Sequence, residues 1–103
     1  MRIDTWKDGM GRYRWKFIAN NNKIIARCPK GYLQKQEMII DLVYILSRDH
    51  DADLFKDKRG EWRFRFRNPN TKKNRIIAIS TEGYNNRVDC VHASDLLLDS
   101  VVV

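Results

Sequence analysis

Between Gly60 and Arg67 the chain alternates aromatic and cationic residues for three full periods, Trp62-Arg63-Phe64-Arg65-Phe66-Arg67. Successive side chains of an extended strand point to opposite faces, so the three rings share one face and the three arginines the other. A second stretch, Tyr13-Arg14-Trp15-Lys16-Phe17, carries the same alternation after Gly11. Each is preceded by a short strand pattern, Ile3 to Lys7 or Asp53 to Lys56. A turn that opens on Asp and closes on Gly follows that strand, Asp8 to Gly11 or Asp57 to Gly60. After the alternating strand come a polar loop and an apolar strand, Ile24-Ile25-Ala26 or Ile76-Ile77-Ala78. Gly31 and Gly83 end the extended pattern, and the period becomes helical. Met38, Ile39, Leu42, Val43, Ile45 and Leu46 form a wide apolar stripe in the first half. Cys90, Val91, Ala93, Leu97, Leu98 and Val101 form a less regular one in the second. Asn86 with Asp89 predicts a helix N-terminus, and Gln34 with Glu37 holds the matching place with a weaker cap.

The two halves align with each other. Trp6-Lys7-Asp8 matches Phe55-Lys56-Asp57 at a spacing of 49, and Lys23 to Ala26 matches Arg75 to Ala78 at a spacing of 52. The second copy carries its extra residues in the loop around Asn68-Pro69-Asn70-Thr71. The pattern predicts an α+β fold: tandem βββα repeats forming one antiparallel sheet with two helices packed on one face. A single domain over 1–103 is expected, built of units 1–49 and 50–103 and joined through Ser47-Arg48-Asp49-His50-Asp51. Tyr13, Trp15, Phe17, Trp62, Phe64 and Phe66 are the expected core beneath the helices. Burying one such ring is worth about 1.5–3 kcal/mol.

Charge narrows the partners. The net charge is +7 and the pI near 9.7. Residues 1–50 hold ten basic and five acidic side chains, and residues 51–103 hold ten and eight. Such an excess favours a polyanionic partner, nucleic acid or an acidic protein surface. No apolar run reaches the ~18 residues that span a bilayer, so no membrane partner is expected. Met1-Arg2-Ile3-Asp4 lacks the apolar region of a signal peptide, which points to the cytoplasm. Cys28 and Cys90 are the only cysteines, far apart and in no C-x-x-C pattern. They are expected as buried, reduced thiols rather than a disulfide or a zinc site.

The segment Phe55-Lys56-Asp57-Lys58-Arg59-Gly60-Glu61-Trp62-Arg63-Phe64-Arg65-Phe66, followed by Ile76-Ile77-Ala78-Ile79-Ser80 and Glu82-Gly83-Tyr84, resembles the YegP-like tandem-repeat domain family. These are small prokaryotic proteins without a settled function. The resemblance covers almost the whole chain and is most specific in the second unit. The first unit departs from it, with Gly9-Met10 in place of a charged pair and Cys28-Pro29-Lys30 where Ser-x-Glu is usual. The resemblance implies an α+β fold, sometimes dimeric, and no catalytic role.

The candidate partner-binding surface is the cationic sheet face, Arg14, Lys16, Arg63, Arg65 and Arg67, extended by Lys72, Lys73 and Arg75 on the adjoining loop. Such a face neutralises phosphates or carboxylates, although an open sheet needs one polar face in any case. With the rings used in the core, stacking platforms for bases are missing. Tyr32 and Tyr84, after the break-point glycines, are expected to pack the turn against the helix. Asp49, Asp51 and Asp53 imitate the start of a calcium loop, but Leu54 and Gly60 stand where that loop needs Gly and Glu. His50 and His92 have no nucleophile in a triad context. No catalytic residue, metal site or cofactor is expected. The resulting expectation is a small basic non-enzymatic interaction module, monomer or homodimer, that binds an acidic partner, a protein, and inhibits a larger complex as one role. The alternatives are direct sequence-independent nucleic-acid binding and an enzyme acting on a small anionic ligand. The apolar tail Val101-Val102-Val103 either finishes the second helix or joins a dimer contact.

Overall fold

A computed structural model of the chain describes residues 2–47, 52–69 and 75–99. The elements run β1 (Arg2–Lys7), β2 (Tyr13–Ile18), β3 (Ile24–Arg27), α1 (Lys35–Leu46), β4 (Asp53–Lys56), β5 (Trp62–Asn68), β6 (Arg75–Ser80) and α2 (Arg87–Asp99). The six strands form one sheet in the order β1-β2-β3-β6-β5-β4, and every described pair is antiparallel. The centre of the sheet is therefore the junction between the two halves, where Ala26 pairs with Ser80 and Arg27 with Ile79.

The turns explain why the strands begin where they do. Asp8 Oδ1 accepts hydrogen bonds from the amides of Met10 and Arg12, both at 2.9 Å. Asp57 Oδ1 does the same for Arg59 at 2.9 Å and Glu61 at 3.0 Å. An aspartate that caps two amides closes each turn locally, before any long-range contact is made. Gly11 and Gly60 both sit at φ +79°, the left-handed region where a Cβ is strained.

Trp15 and Phe17 of β2 and Phe64 and Phe66 of β5 are fully buried, as the alternation requires. Phe64 and Phe66 meet edge to face with centroids 5.8 Å apart. Tyr13 and Trp62 are half-buried and flank this core rather than fill it. Met38 and Ile45 of α1, and Cys90, Ala93 and Leu97 of α2, join the same buried cluster. Both cysteines are buried and free.

The helix α1 departs from the predicted stripe. Ile39 and Val43 are exposed, 40% and 62%, while Asp41 between them is buried at 1%. The buried line is Met38, Asp41 and Ile45, the i, i+3, i+7 positions of one narrow face. A helix resting on one sheet buries a stripe narrower than its apolar content, so the flanking positions face out. Val91 is half-buried in α2, while the Leu98 side chain and Val101 lie outside the described residues. Asn86 Nδ2 lies 3.4 Å from Asp89 Oδ2 at the start of α2, and Gln34 makes no side-chain cap at α1.

The sheet splits at its centre. Registered pairing between β3 and β6 stops at Arg27 and Ile79. Beyond it the chain swings toward β2: the Cys28 amide donates to the Trp15 carbonyl at 3.2 Å, and Tyr13 and Tyr32 exchange two backbone bonds of 2.8 Å. Trp62 and Tyr84 do the same in the second half, at 2.6 and 2.7 Å. Both tyrosines thus fasten the segment before a helix to the start of an alternating strand.

Candidate functional site

Paired residues on adjacent antiparallel strands share a face. On the side away from the core the register reads Asp4, Lys16, Arg27, Ile79, Arg65, Asp53 across the whole sheet. The row is basic toward its centre and acidic at both edges. Arg27, at the middle, was not singled out from the sequence. Among the described residues, no carboxylate pairs with Arg27 or Lys16. The Lys16 ammonium lies 5.2 Å from the Trp6 ring, and the Arg65 guanidinium 4.4 Å from the Phe55 ring.

On this face Arg14, Arg63, Arg65 and Arg67 are held by acids. Arg14 Nε donates to Asp8 Oδ2 at 2.6 Å, and Arg63 Nε to Asp57 Oδ2 at 2.8 Å. These are the same aspartates that cap the turns with their other oxygen. Arg65 donates to Asp53 at 2.8 Å, and Arg67 lies 3.5 Å from the same carboxylate. The Arg14, Arg63 and Arg65 hydrogen bonds are the leading reason that the carboxyls of Asp8, Asp57 and Asp53 titrate below the usual aspartate value. In return, the bond to Asp8 raises the Arg14 pKa.

Arg75 points to the opposite side and meets a buried network. Asp41 Oδ2 accepts from the Tyr32 hydroxyl at 2.7 Å and from Arg75 Nη2 at 2.8 Å, while Oδ1 accepts from Asn68 Nδ2 at 3.1 Å. Burial, reinforced by the bond to Asp41, pushes the Tyr32 phenol well above its ordinary value. The Arg75 guanidinium also lies 5.9 Å from the Tyr32 ring. Tyr32 therefore ties α1 to the sheet, a structural role like the one its position suggested.

A groove of about 550 Å³ opens where the strands part. One bank is the segment from Pro29 to Leu33, with Arg12 behind it; the other is β6, through Arg75, Ile76 and Ile79, with Arg67 of β5. Among the described residues four cations line it, Arg12, Lys30, Arg67 and Arg75, against one acid, Glu37. Of the predicted residues, the groove thus gathers Arg67 and Arg75. Arg14, Lys16, Arg63 and Arg65 are not among its lining, and Lys72 and Lys73 lie outside the described residues. Arg12 and Lys30 were missed. The signal for them was available in the alignment of the halves, where Arg12 stands opposite Glu61 and Lys30 opposite Glu82. Asp49, Asp51 and His50 lie outside the described residues, His92 is exposed on α2, and among the described residues no three His, Cys, Asp or Glu side chains gather for a metal. No helix among the described residues is long and apolar enough to cross a membrane.

No protein-family profile matches the sequence, and no curated protein matches it. Solved structures do match. The protein of unknown function YegP from E. coli superposes with a TM-score of 0.80 at 13% identity, over 98% of this chain and 85% of that one. A UPF0339 protein from Shewanella oneidensis superposes with a TM-score of 0.78 at 11% identity, over the same shares. At such identities the agreement concerns the fold. The chain has the fold of the YegP-like proteins that its motifs resemble.

Proposed function

We propose that the chain is a small basic non-enzymatic interaction module that binds an acidic protein through the outward face of its sheet. One observation carries the reading: Lys16, Arg27 and Arg65 stand in register across the middle of that face. Asp8, Asp57 and Asp53 hold Arg14, Arg63 and Arg65 in fixed directions around it. Side chains already ordered lose less freedom when a partner docks, and the net charge of +7 steers acidic surfaces toward them. The two βββα units, 1–49 and 50–103, are read as copies of one repeat within a single domain. The twin Asp8 and Asp57 turns and the twin Tyr32 and Tyr84 bridges support that reading. The module acts in the cytoplasm, as a monomer or homodimer, and inhibition of a larger complex fits its size and charge.

Nucleic-acid binding is the second reading, favoured by Trp6 and Phe55 on the outward face. Both rings already carry a cation, Lys16 or Arg65, which leaves them poorer platforms for bases. Retention on immobilised polyglutamate and on single-stranded DNA, each followed against salt, separates the two. The expected result is salt-dependent retention on polyglutamate that Lys16→Glu/Arg27→Glu weakens, with weak retention on DNA. Steep salt-dependent retention on DNA with none on polyglutamate would overturn the proposal.

A further inference from the structure

The two halves offer an internal comparison, because the same backbone arrangement recurs with opposite charge. Gly31 packs so closely on Arg12 that a Cβ there would lie 2.5 Å from the Arg12 Cβ; Gly83 packs on Glu61 with a corresponding 2.7 Å. Arg12 and Glu61 are thus equivalent in space. Lys30 and Glu82 immediately precede those glycines. The end of the sheet beside Gly31 is basic. The end beside Gly83 carries Glu61 and Glu82, with Lys23 3.9 Å from Glu82. The groove therefore has a polarity that the fold does not require.

Its shape comes from the parting of β3 and β6. One bank is β6, whose registered pairing on the β3 side ends at Ile79, and the other is the diverging segment from Pro29 to Leu33. Ile76, Ile79 and the 68%-exposed Leu33 supply apolar wall between the cations. A cleft beside a strand edge, apolar along its walls and cationic at its rim, suits a chain in extended form. Such a chain alternates its side chains between wall and rim and meets the β6 edge with its backbone.

We propose that this groove receives an extended acidic segment of the partner protein, with carboxylates at Arg12 and Lys30 and apolar side chains against Ile76, Ile79 and Leu33. The proposal rests on the reading that the partner is an acidic protein. Charge complementarity selects the occupant: Arg67 and Arg75 already meet Asp53 and Asp41, whereas among the described residues no carboxylate pairs with Arg12 or Lys30. One residue of this site, Lys30, comes from Cys28-Pro29-Lys30, where the first unit departs from the family pattern.

The test uses the whole isotope-labelled chain and a synthetic peptide that alternates glutamate and valine. A glutamine-for-glutamate peptide and oligothymidylate serve as comparators. The expected result is that amide resonances of Lys30 to Leu33 and Ile76 to Ala78 shift with the glutamate peptide alone. Arg12→Glu/Lys30→Glu then weakens its binding by at least about tenfold. This variant installs the charges that the second half already carries at the equivalent places, so the fold accommodates it; an unchanged amide spectrum elsewhere verifies this. Peptide binding that shifts only Lys16, Arg27 and Arg65, and is unaffected by the double variant, overturns the groove while leaving the acidic-protein reading intact. Equal binding of the glutamine peptide also overturns it. Wild-type chain that binds neither the glutamate peptide nor polyglutamate, yet binds oligothymidylate, overturns the underlying reading and the groove with it.

Discussion

Arg63 donates from Nε to Asp57 Oδ2 at 2.8 Å, across the turn that separates β4 from β5. The aspartate also caps two turn amides, so one carboxylate sets the turn and aims the first arginine of β5. Arg14 and Asp8 repeat this between β1 and β2, at 2.6 Å. The outward face is therefore ordered from its turns.

That ordering has a pH signature. Hydrogen bonds from arginine lower the folded-state pKa values of Asp8, Asp53 and Asp57 beneath the ordinary value of 3.8. Below that value the unfolded chain takes up protons first, so stability rises with pH in this window. The contribution is complete above the unfolded pKa and is lost as pH falls through the lowered folded values. Thermal melts across the acid range are expected to show Tm falling below about pH 4, with a smaller fall in Asp57→Asn and at high salt. Parallel curves for wild type and variant would show that the carboxylate contributes nothing.

Asp41 of α1 is a buried acceptor shared by three side chains. Asp41→Ala leaves the Tyr32 hydroxyl, the Asn68 amide and the Arg75 guanidinium without their shared acceptor. Because about half of the Arg75 side chain is exposed, the loss comes chiefly from the Tyr32 and Asn68 groups and is expected at roughly 1–3 kcal/mol, read from urea unfolding. Asp41→Asn keeps a carbonyl acceptor and is expected to lose less.

Gly31 is required by the close approach of its segment to β2. Gly31→Ala sets a Cβ 2.5 Å from the Arg12 Cβ, and hydrogen bonds between the Arg12 backbone and Asp8 hold that residue in place. A loss of about 1–3 kcal/mol is expected, as for other overpacked sites. Gly9→Ala meets nothing within 4 Å and serves as the control, with a change within about 0.5 kcal/mol. Equal stability of the two variants would contradict the packing.

The cysteines are expected to be inert in the native protein. Cys28 accepts a hydrogen bond from the Trp15 amide at 3.4 Å, and burial pushes the Cys90 thiol above its ordinary pKa. A thiol reagent at neutral pH is expected to modify neither residue until denaturant unfolds the chain. Rapid native labelling of either would refute this.

What the sequence determined by itself was local and periodic. The alternation of Trp62 to Arg67 assigned a face to each side chain, because a strand's period of two needs no knowledge of its neighbours. The Asp-to-Gly spacing located both turns for the same reason. The six-stranded sheet and two helices followed from counting such segments. Periodicity could not decide which side of an apolar helix is covered: Ile39 and Val43 face out and Asp41 faces in because Tyr32, Asn68 and Arg75 converge there from separate segments. Nor could it decide which cations stand near acids, since Arg65 meets Asp53 only through the pairing of β4 with β5. The groove is wholly tertiary. Arg12, Lys30, Arg67 and Arg75 come from four segments, and they share a cleft only because β3 leaves β6 after Arg27 to follow β2.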